Sequence, residues 1–245
     1  MRNGRAVWAV VPAFDEERLI ARTLAGVPDF VDRVVVVDDA SRDATAARAR
    51  AAGGARTQVV RRTENGGVGA AIVDGYRAFL AAGGAPGDAC VVMAGDAQMD
   101  PADLPALLDA LDGGAGYAKG NRFLRRGTFR AMPWVRWCGN RALSAMTRAA
   151  TGYRIGDSQC GYAAITRAAL ARVDLARLWP RYGFPNDLLV KLASAGETVV
   201  DVPVRAVYGD ETSRLVPWRV APRLVGILWR GLREVRVARA ARAAA

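Results

Sequence analysis

Histidine is absent from this chain of 245 residues, and cysteine is scarce. Without histidine the chain cannot be a Ser-His-Asp hydrolase or a Cys-His protease, and it cannot form a zinc site with histidine ligands. Any metal must be held by carboxylate, amide or thiolate groups. The three cysteines (Cys90, Cys138 and Cys160) are widely spaced and contain no CxxC pair, so they predict neither a disulfide framework nor a zinc site.

Long apolar runs and a secretion signal are also missing. No stretch of about 18 apolar residues occurs, which argues against a transmembrane helix. The N-terminal segment reaches Pro12, Asp15 and Glu16 too early for a signal peptide. We therefore expect a cytoplasmic protein, with contact to a membrane surface left open.

Positive charge dominates the composition, with 35 Lys+Arg against 24 Asp+Glu and a net charge of +11. Only Lys119 and Lys191 are lysines, so 35 − 2 = 33 of the basic residues are arginines. Arginine stays charged and binds phosphate through two parallel hydrogen bonds. Nucleic acid, anionic lipid head groups and phosphorylated small molecules are the partners that such a chain favours. Genome composition alone also produces Arg- and Ala-rich chains, so composition does not choose among them.

The first half alternates short β-branched runs with helix-like segments. The pattern predicts strands at 6–11, 33–37, 57–61 and 89–94, and helices at 16–25, 43–52 (with Ser41 as its N-cap), 67–82 and 101–111. Such a series is typical of an α/β fold with a mostly parallel sheet flanked by helices.

The second half is less regular. Helices are predicted at 132–150, 184–195 and from 217 to the C-terminus, and a strand at 198–207. Pro203 lies inside that strand, so it should be an edge strand or contain a bulge.

Polar side chains follow two of the predicted strands. Asp38 and Asp39 come after the second strand, and Asp96 and Gln98 after the fourth. Ligands of open α/β sheets bind at the carboxyl ends of the strands, so two such clusters favour a ligand site. The alternative is that these residues only cap turns and helices.

Four stretches then carry a resemblance to a known family: VVPAFDEE (10–17), VVVVDDASRDAT (34–45), ENGGVGAA (64–71) and VVMAGDAQMDP (91–101). In this order and spacing they resemble family 2 glycosyltransferases of GT-A fold, and most closely the dolichol-phosphate mannose synthase-like branch. The resemblance implies an inverting, metal-dependent enzyme that moves a hexose from a UDP- or GDP-sugar to a polyprenyl phosphate. It also implies a catalytic domain at 1–215, with a nucleotide-binding half (1–115) and an acceptor half (116–215), followed by a basic helix at 216–245.

The resemblance places the nucleotide-sugar at six residues: Pro12, Phe14, Glu16, Asp39, Asp96 and Arg122. Phe14 stands where tyrosine is usual. The glycine-rich stretch after Asn65 is not a dinucleotide fingerprint, because Ile72 occupies the third glycine position and the stretch follows the third strand. This makes a nucleotide-binding oxidoreductase an unfavoured interpretation.

A DxDxQ-like stretch holds a divalent cation in the resembling family, and here it reads AGDAQ (94–98). Ala94 replaces the first acid, which leaves Asp96 and Gln98 as the implied ligands of Mg²⁺ or Mn²⁺. The implied catalytic residues are Asp96, Arg122 and Asp187.

The acceptor side is implied by motifs of the second half. GDSQCGY (156–162) resembles an element near the acceptor. Arg214, after Ser213, stands where the family commonly has a lysine that meets phosphate, and Arg205 lies close to a family arginine but out of register with it. The resemblance implies that they hold the acceptor phosphate or, alternatively, the donor diphosphate. Asp187 lies where many family members with sugar acceptors have a general base. A phosphate acceptor is already an anion near pH 7 and hardly needs one.

On a helix beginning at 217, four arginines (Arg219, Arg223, Arg230 and Arg233) fall on one side, and Leu224, Leu228, Leu232 and Val235 roughly opposite. With Trp218 and Trp229 nearby, this pattern suits the head-group zone of an anionic membrane or a membrane-protein partner. The alternative is a helix packed on the domain. Beyond Val235 the arginines leave the one side, so the last turns should fray.

Two other functions stay open. One is a glycosyltransferase with a sugar hydroxyl acceptor and Asp187 as general base. The other, of a different class, is a non-enzymatic basic nucleic-acid-binding protein. The 7% aromatic share and the lack of a known nucleic-acid module argue against it, so we expect no nucleic-acid partner.

Overall fold

The computed structural model describes residues 1–125, 134–205 and 217–244. Among these residues, seven strands form one sheet: β1 Val7–Ala13, β2 Arg33–Asp38, β3 Thr57–Arg61, β4 Ala89–Val92, β5 Tyr117–Asn121, β6 Ala163–Thr166 and β7 Val199–Pro203. Their order is β3-β2-β1-β4-β6-β5-β7, and every pair is parallel except those of β6 with β4 and β5. The predicted α/β fold with a mostly parallel sheet is confirmed.

Helices cover both faces of the sheet. Their bounds are α1 Ile20–Ala25, α2 Thr45–Ala52, α3 Val68–Ala81, α4 Leu104–Asp112, α5 Trp134–Thr151, α6 Arg167–Ala171, α7 Phe184–Ala195 and α8 Pro217–Ala244. One buried cluster joins the sheet to α1 and α4, and a second joins its other face to α3 and α7. Because both faces are covered, all seven residues of β1 are buried, and the central strands read as continuous apolar runs.

The predicted helix 16–25 begins only at Ile20. The backbone N–H of Glu16 donates to Thr45 Oγ1 at 2.8 Å, so the first residue of α2 takes up this amide. Local periodicity could not show this contact, because it joins residues 29 positions apart.

Ser41 is not the N-cap of α2, and that prediction is wrong. The helix begins at Thr45 after Ala44, which makes no side-chain cap bond. The hydroxyl of Ser41 instead accepts from the backbone N–H of Asp15 at 2.9 Å and ties two loops together.

Two strands were missed in the sequence. β5 and β6 are short, and β6 runs against its neighbours, so only pairing across the sheet defines them. The predicted strand at 198–207 is Val199–Pro203, and it lies at the sheet edge as Pro203 indicated.

The C-terminal helix α8 packs on α5 and α7, with Leu224, Leu228 and Val235 buried. It continues to Ala244, so the predicted fraying is wrong. Arg239 Nη2 donates to the Thr151 carbonyl at 2.6 Å, and Arg242 bonds carbonyls at the end of α7. These arginines lie at the C-terminal ends of two helices, where carbonyls lack partners and the helix dipole favours a cation.

No helix in the described parts of the chain combines the length and the apolar character needed to cross a membrane.

Candidate functional site

The loops after β2, β1 and β4 lie side by side at one edge of the sheet. The N–H of Asp39 donates to the Ala13 carbonyl at 2.9 Å, and that of Gly95 donates to the Pro12 carbonyl at 3.0 Å. The end of β1 therefore joins three loops directly. The loops after β1 and β2 are predicted to bind the donor, and the loop after β4 is predicted to bind the metal. β5 and β7 point their carboxyl ends to the same edge.

Of the four described non-glycine residues with a positive φ, three lie in these loops and the fourth is Asn3. Asp15, Ala40 and Ala97 have φ of 53°, 61° and 55°, and each follows one of the three adjacent strands. A left-handed conformation is uncommon outside glycine and costs free energy, which proteins tend to retain at functional sites. The strain thus supports a ligand site at this edge.

The first donor loop is half-buried and cross-linked. Pro12 is buried at the end of β1, while Phe14 and Glu16 are half-buried in the loop that follows. Besides the bonds made by the Asp15 and Glu16 amides, the N–H of Arg42 donates to Asp15 Oδ1 at 2.9 Å. The loop is therefore held in a defined shape before any ligand arrives.

Asp39 is 2% exposed and holds the turn of Gly66 and Gly67 in the loop after β3. Its carboxylate accepts from the N–H groups of Gly66 at 2.9 Å and Gly67 at 2.7 Å, and pairs with Arg62 Nε at 2.9 Å. Gly67 has a φ of 96°, which residues with a side chain rarely adopt. The described contacts of Asp39 are with the protein, and its contact with a nucleoside stays a prediction.

Thr23 of α1 holds the predicted metal loop, although the sequence analysis did not single it out. Its hydroxyl donates to the Gly95 carbonyl at 3.0 Å and accepts from the Ala97 N–H at 3.1 Å. Asp96 Oδ1 accepts from the Gln98 N–H at 3.1 Å. The only signal in the sequence was a polar residue on the apolar side of a predicted helix.

Asp96 and Gln98 place two oxygen-bearing side chains in one tight turn. In the described residues, no group of three or more His, Cys, Asp or Glu side chains could hold a metal ion. A carboxylate and an amide still fit Mg²⁺ or Mn²⁺, because such ions keep several waters and take phosphate oxygens of a substrate as further ligands.

Arg122 follows β5 and is held by a buried acid. Its Nε and Nη2 donate to the two oxygens of Asp157 at 2.7 and 3.0 Å. Burial disfavours the charge of Asp157, but the bonds and charges of Arg122 and Lys119 outweigh it and lower the pKa of Asp157. The acid is therefore ionised and paired at neutral pH.

Two further titratable groups, Lys119 and Asp201, interact with this pair. Lys119 is fully buried and donates to the Cys160 carbonyl at 2.5 Å; burial lowers its pKa, although Asp157 and Asp201 oppose the change. Burial also raises the pKa of Asp201. Lys119 was not predicted from the sequence, although it is one of only two lysines in an arginine-rich chain, and this rarity is a signal.

Arg205, predicted to hold the acceptor phosphate, is anchored by two acids near the metal loop. Its Nη1 donates to Asp100 at 2.7 Å and its backbone N–H to Asp103 at 2.6 Å. Half of its side chain is exposed. Ser213 and Arg214, the other predicted phosphate ligands, lie outside the described residues.

Asp187 lies in the first turn of α7, and its Oδ2 accepts from the Trp179 N–H at 2.8 Å. Burial raises the pKa of Asp187, although this bond and the charge of Lys191 oppose the change. Its described bond is to the loop before α7, not to the strand-end loops. Its role as a base stays a prediction.

A solved structure with the same fold is glucosyl-3-phosphoglycerate synthase from Mycobacterium tuberculosis in complex with Mn²⁺, UDP and phosphoglyceric acid. The superposition has a TM-score of 0.70 at 23% identity and covers 94% of this chain and 79% of that one. This similarity confirms the GT-A-type fold.

Two curated proteins are similar in sequence. Polyprenol monophosphomannose synthase of Mycolicibacterium smegmatis is 32% identical, over 83% of this chain and 78% of the relative. Undecaprenyl-phosphate mannosyltransferase of Micrococcus luteus is 30% identical, over 93% of this chain and 97% of the relative. The family model described as "Glycosyl transferase family 2" matches residues 8–174. The resemblance noted in the sequence is thereby confirmed, and the chain belongs to glycosyl transferase family 2.

Proposed function

We propose that this protein transfers a hexose, with inversion, from a UDP- or GDP-sugar to a polyprenyl phosphate. The observation that carries the proposal is the joining of the Asp39 loop and the Asp96–Gln98 turn through the end of β1. Two relatives, polyprenol monophosphomannose synthase of Mycolicibacterium smegmatis and undecaprenyl-phosphate mannosyltransferase of Micrococcus luteus, support the lipid acceptor.

The donor lies across the strand ends in this proposal. The loops that carry Phe14, Glu16 and Asp39 bind the nucleoside beside Pro12. Arg122 binds the negatively charged diphosphate. Residues 1–115 form the nucleotide-binding half, and 116–215 supply the acceptor half. Pre-formed loops favour catalysis because little reorganisation is needed when charge develops on the leaving group.

Asp96 and Gln98 are the proposed ligands of Mg²⁺ or Mn²⁺. When bound there, such an ion would neutralise charge on the departing diphosphate. The chain contributes the geometry, since Thr23 holds both sides of the turn that carries Asp96.

The acceptor step needs no general base in this proposal. An oxygen of the lipid phosphate attacks the anomeric carbon, and the bond from that carbon to the nucleotide diphosphate breaks with its electron pair leaving on the diphosphate. The attacking oxygen is already ionised, so no proton must be removed. Arg205, with Ser213 and Arg214, is the proposed binding set for the acceptor phosphate.

The outer face of α8 is the proposed membrane contact of a peripheral protein on the cytoplasmic side. Trp229 is 59% exposed and Val225 is 46% exposed on this packed helix. The Arg233 guanidinium lies 5.1 Å from the centre of the Trp229 ring. An exposed tryptophan with neighbouring arginines suits an anionic head-group zone, which is where a polyprenyl phosphate resides.

A second candidate uses a sugar hydroxyl as acceptor and Asp187 as base. The burial that raises the pKa of Asp187 favours it, because a less acidic carboxyl is the stronger proton acceptor once ionised. Asp187→Asn separates the candidates. We expect it to keep at least about a tenth of kcat with a phosphate acceptor, whereas loss of a base costs roughly 100-fold or more.

The decisive experiment is a screen of UDP-, GDP- and dTDP-sugars with a short polyprenyl phosphate, with Mg²⁺, Mn²⁺ or EDTA. The expected product is a sugar linked to the lipid phosphate, with an anomeric configuration opposite to that of the donor by NMR. Turnover with hydroxyl acceptors alone would contradict the lipid-phosphate acceptor. Salt-sensitive binding of DNA or RNA without nucleotide-sugar binding would favour the nucleic-acid alternative.

A further inference from the structure

Asp157 belongs to the GDSQCGY stretch but has no role of its own in the sets above, and it makes three hydrogen bonds with Arg122. Besides the two bonds from the guanidinium, the backbone N–H of Arg122 reaches Asp157 Oδ2 at 3.3 Å. The carboxylate has no exposed surface, and the Arg122 side chain is 14% exposed. Both ends of the arginine are therefore held by one buried acid.

The hydrogen bonds from the Arg122 guanidinium to Asp157 determine the orientation of the guanidinium. The acid pairs with the Nε side of the group. The three edges of a planar guanidinium lie about 120° apart, so this pairing fixes the direction of the edge between Nη1 and Nη2. That edge is the one that can bind a phosphate through two parallel bonds.

Two positive charges keep Asp157 ionised. Arg122 bonds the carboxylate and the charge of Lys119 acts in the same direction, so both lower the pKa of Asp157. A buried charge without a partner is strongly unfavourable, so this pairing holds the acid in place.

The loop that carries Asp157 is itself fixed to two helices. Asp157 Oδ1 accepts from the Gln159 N–H at 3.2 Å, and Gln159 Nε2 donates to Asn186 of α7 at 2.9 Å. Asn186 in turn donates to Thr147 of α5 at 2.8 Å. The acid therefore stands on a rigid support and can fix the position of another side chain.

We propose that Asp157 is the positioning residue of Arg122, and that it aims the guanidinium at the diphosphate of the donor. The proposal rests on the proposed function above. Asp157 itself does not touch the substrate and is not a proton acceptor in the reaction, because both of its oxygens are engaged and it is enclosed by the protein.

A double-mutant cycle on Asp157→Asn and Arg122→Lys tests this proposal. The measurements are kcat and KM for donor and acceptor, the melting temperature, and the affinity for UDP and GDP with Mg²⁺ by calorimetry. We expect each single variant to lower kcat/KM about 10- to 100-fold, since a misplaced group can cost that much. The double variant should fall no more than about threefold below Arg122→Lys, because both changes remove the same interaction.

The matched control is Asp201→Asn, in a neighbouring half-buried acid that bonds Asn121 and the Gly156 N–H but not the Arg122 guanidinium. It should change the melting temperature but leave nucleotide affinity within about threefold. If Asp157→Asn does not fold, Asp157→Glu keeps the charge and displaces the guanidinium. That variant should melt within a few degrees of wild type, and its kcat/KM should fall about 10- to 100-fold, as expected for Asp157→Asn.

Additive losses in the cycle, or wild-type turnover of Asp157→Glu, would overturn the positioning role. Failure of the proposed function has a different signature, because the wild type would then transfer no sugar to any polyprenyl phosphate. In that case the double-mutant cycle is evaluated on the affinities for UDP and GDP, and it still tests the positioning role of Asp157. Coupled effects of Asp157 and Arg122 on nucleotide binding support the positioning role, and additive effects refute it.

Discussion

Asp96 is the single acid of the AGDAQ stretch, since Ala94 stands where the resembling family has its first acid. If the carboxylate holds the cation, Asp96→Ala should lower kcat at least about 100-fold, the scale typical of losing one electrostatic contact to developing charge. The melting temperature should change little, because the side chain is only half-buried. Activity assays across Mg²⁺ and Mn²⁺ concentrations, with thermal melts, measure both effects.

Asp109→Ala is the matched control for that variant. Asp109 is 60% exposed and pairs with Arg2 on the surface, so its loss should leave turnover unchanged and cost little stability. Near wild-type turnover of Asp96→Ala would remove the metal assignment.

Asp187 and Asp157 should affect stability with opposite signs as pH changes. Burial raises the pKa of Asp187, so its ionised form is less favourable in the folded than in the unfolded protein. Stability is therefore lost as pH rises from the ordinary aspartate pKa of about 4 through the raised value. Asp187→Asn should melt higher than wild type at pH 7, and the difference should shrink towards pH 4.

For Asp157 the pKa is lowered, so its contribution is present above about pH 4 and is lost as pH falls through the lowered pKa. Asp157→Asn should melt below wild type at pH 7, with a gap that narrows in acid. Thermal melts between pH 3 and 7 measure both variants. The differences in melting temperature between variant and wild type would contradict the described environments if they had the same sign for both variants or widened in acid.

At the scale of elements, the contact of α8 with α7 depends on a glycine. A Cβ on Gly231 would lie 2.5 Å from Val190 Cγ2, whereas a Cβ on Gly226 would meet nothing within 4 Å. Alanine in a helix gains up to about 1 kcal/mol over glycine, but overpacking costs about 1–3 kcal/mol. The two glycines of one helix therefore form a matched pair.

We expect Gly231→Ala to lower the melting temperature by a few degrees and Gly226→Ala to raise it slightly. Differential scanning calorimetry of both variants under one condition is the measurement. Equal stabilisation by both would mean that α8 does not pack on α7 as described.

On the scale of the whole molecule, the proposed membrane contact can be separated from the general effect of the net charge of +11. Arg230 and Arg233 lie on the exposed part of α8 beside Trp229. Arg230→Ala/Arg233→Ala should weaken binding to phosphatidylglycerol vesicles about tenfold or more, since each arginine near such a surface contributes about 1 kcal/mol. Vesicle sedimentation at several salt concentrations is the assay.

Arg48→Ala/Arg50→Ala removes the same charge from two exposed arginines of α2 and is the control. It should leave vesicle binding nearly unchanged. Equal weakening by both pairs would show that net charge, and not the face of α8, determines the binding.

The strands of the nucleotide-binding half and the acids that follow them are predictable from sequence alone. β-branched runs and helical periodicity are local, so β1 to β4 and the acids after β2 and β4 could be read directly. Which side chains meet is defined only in the folded chain. β5 and β6 exist through pairing, and the Asn121–Asp201 bond joins residues 80 positions apart. Arg122 could be read from its motif, but the buried acid that holds it 35 positions away could not, because burial and charge pairing arise only when the chain is folded.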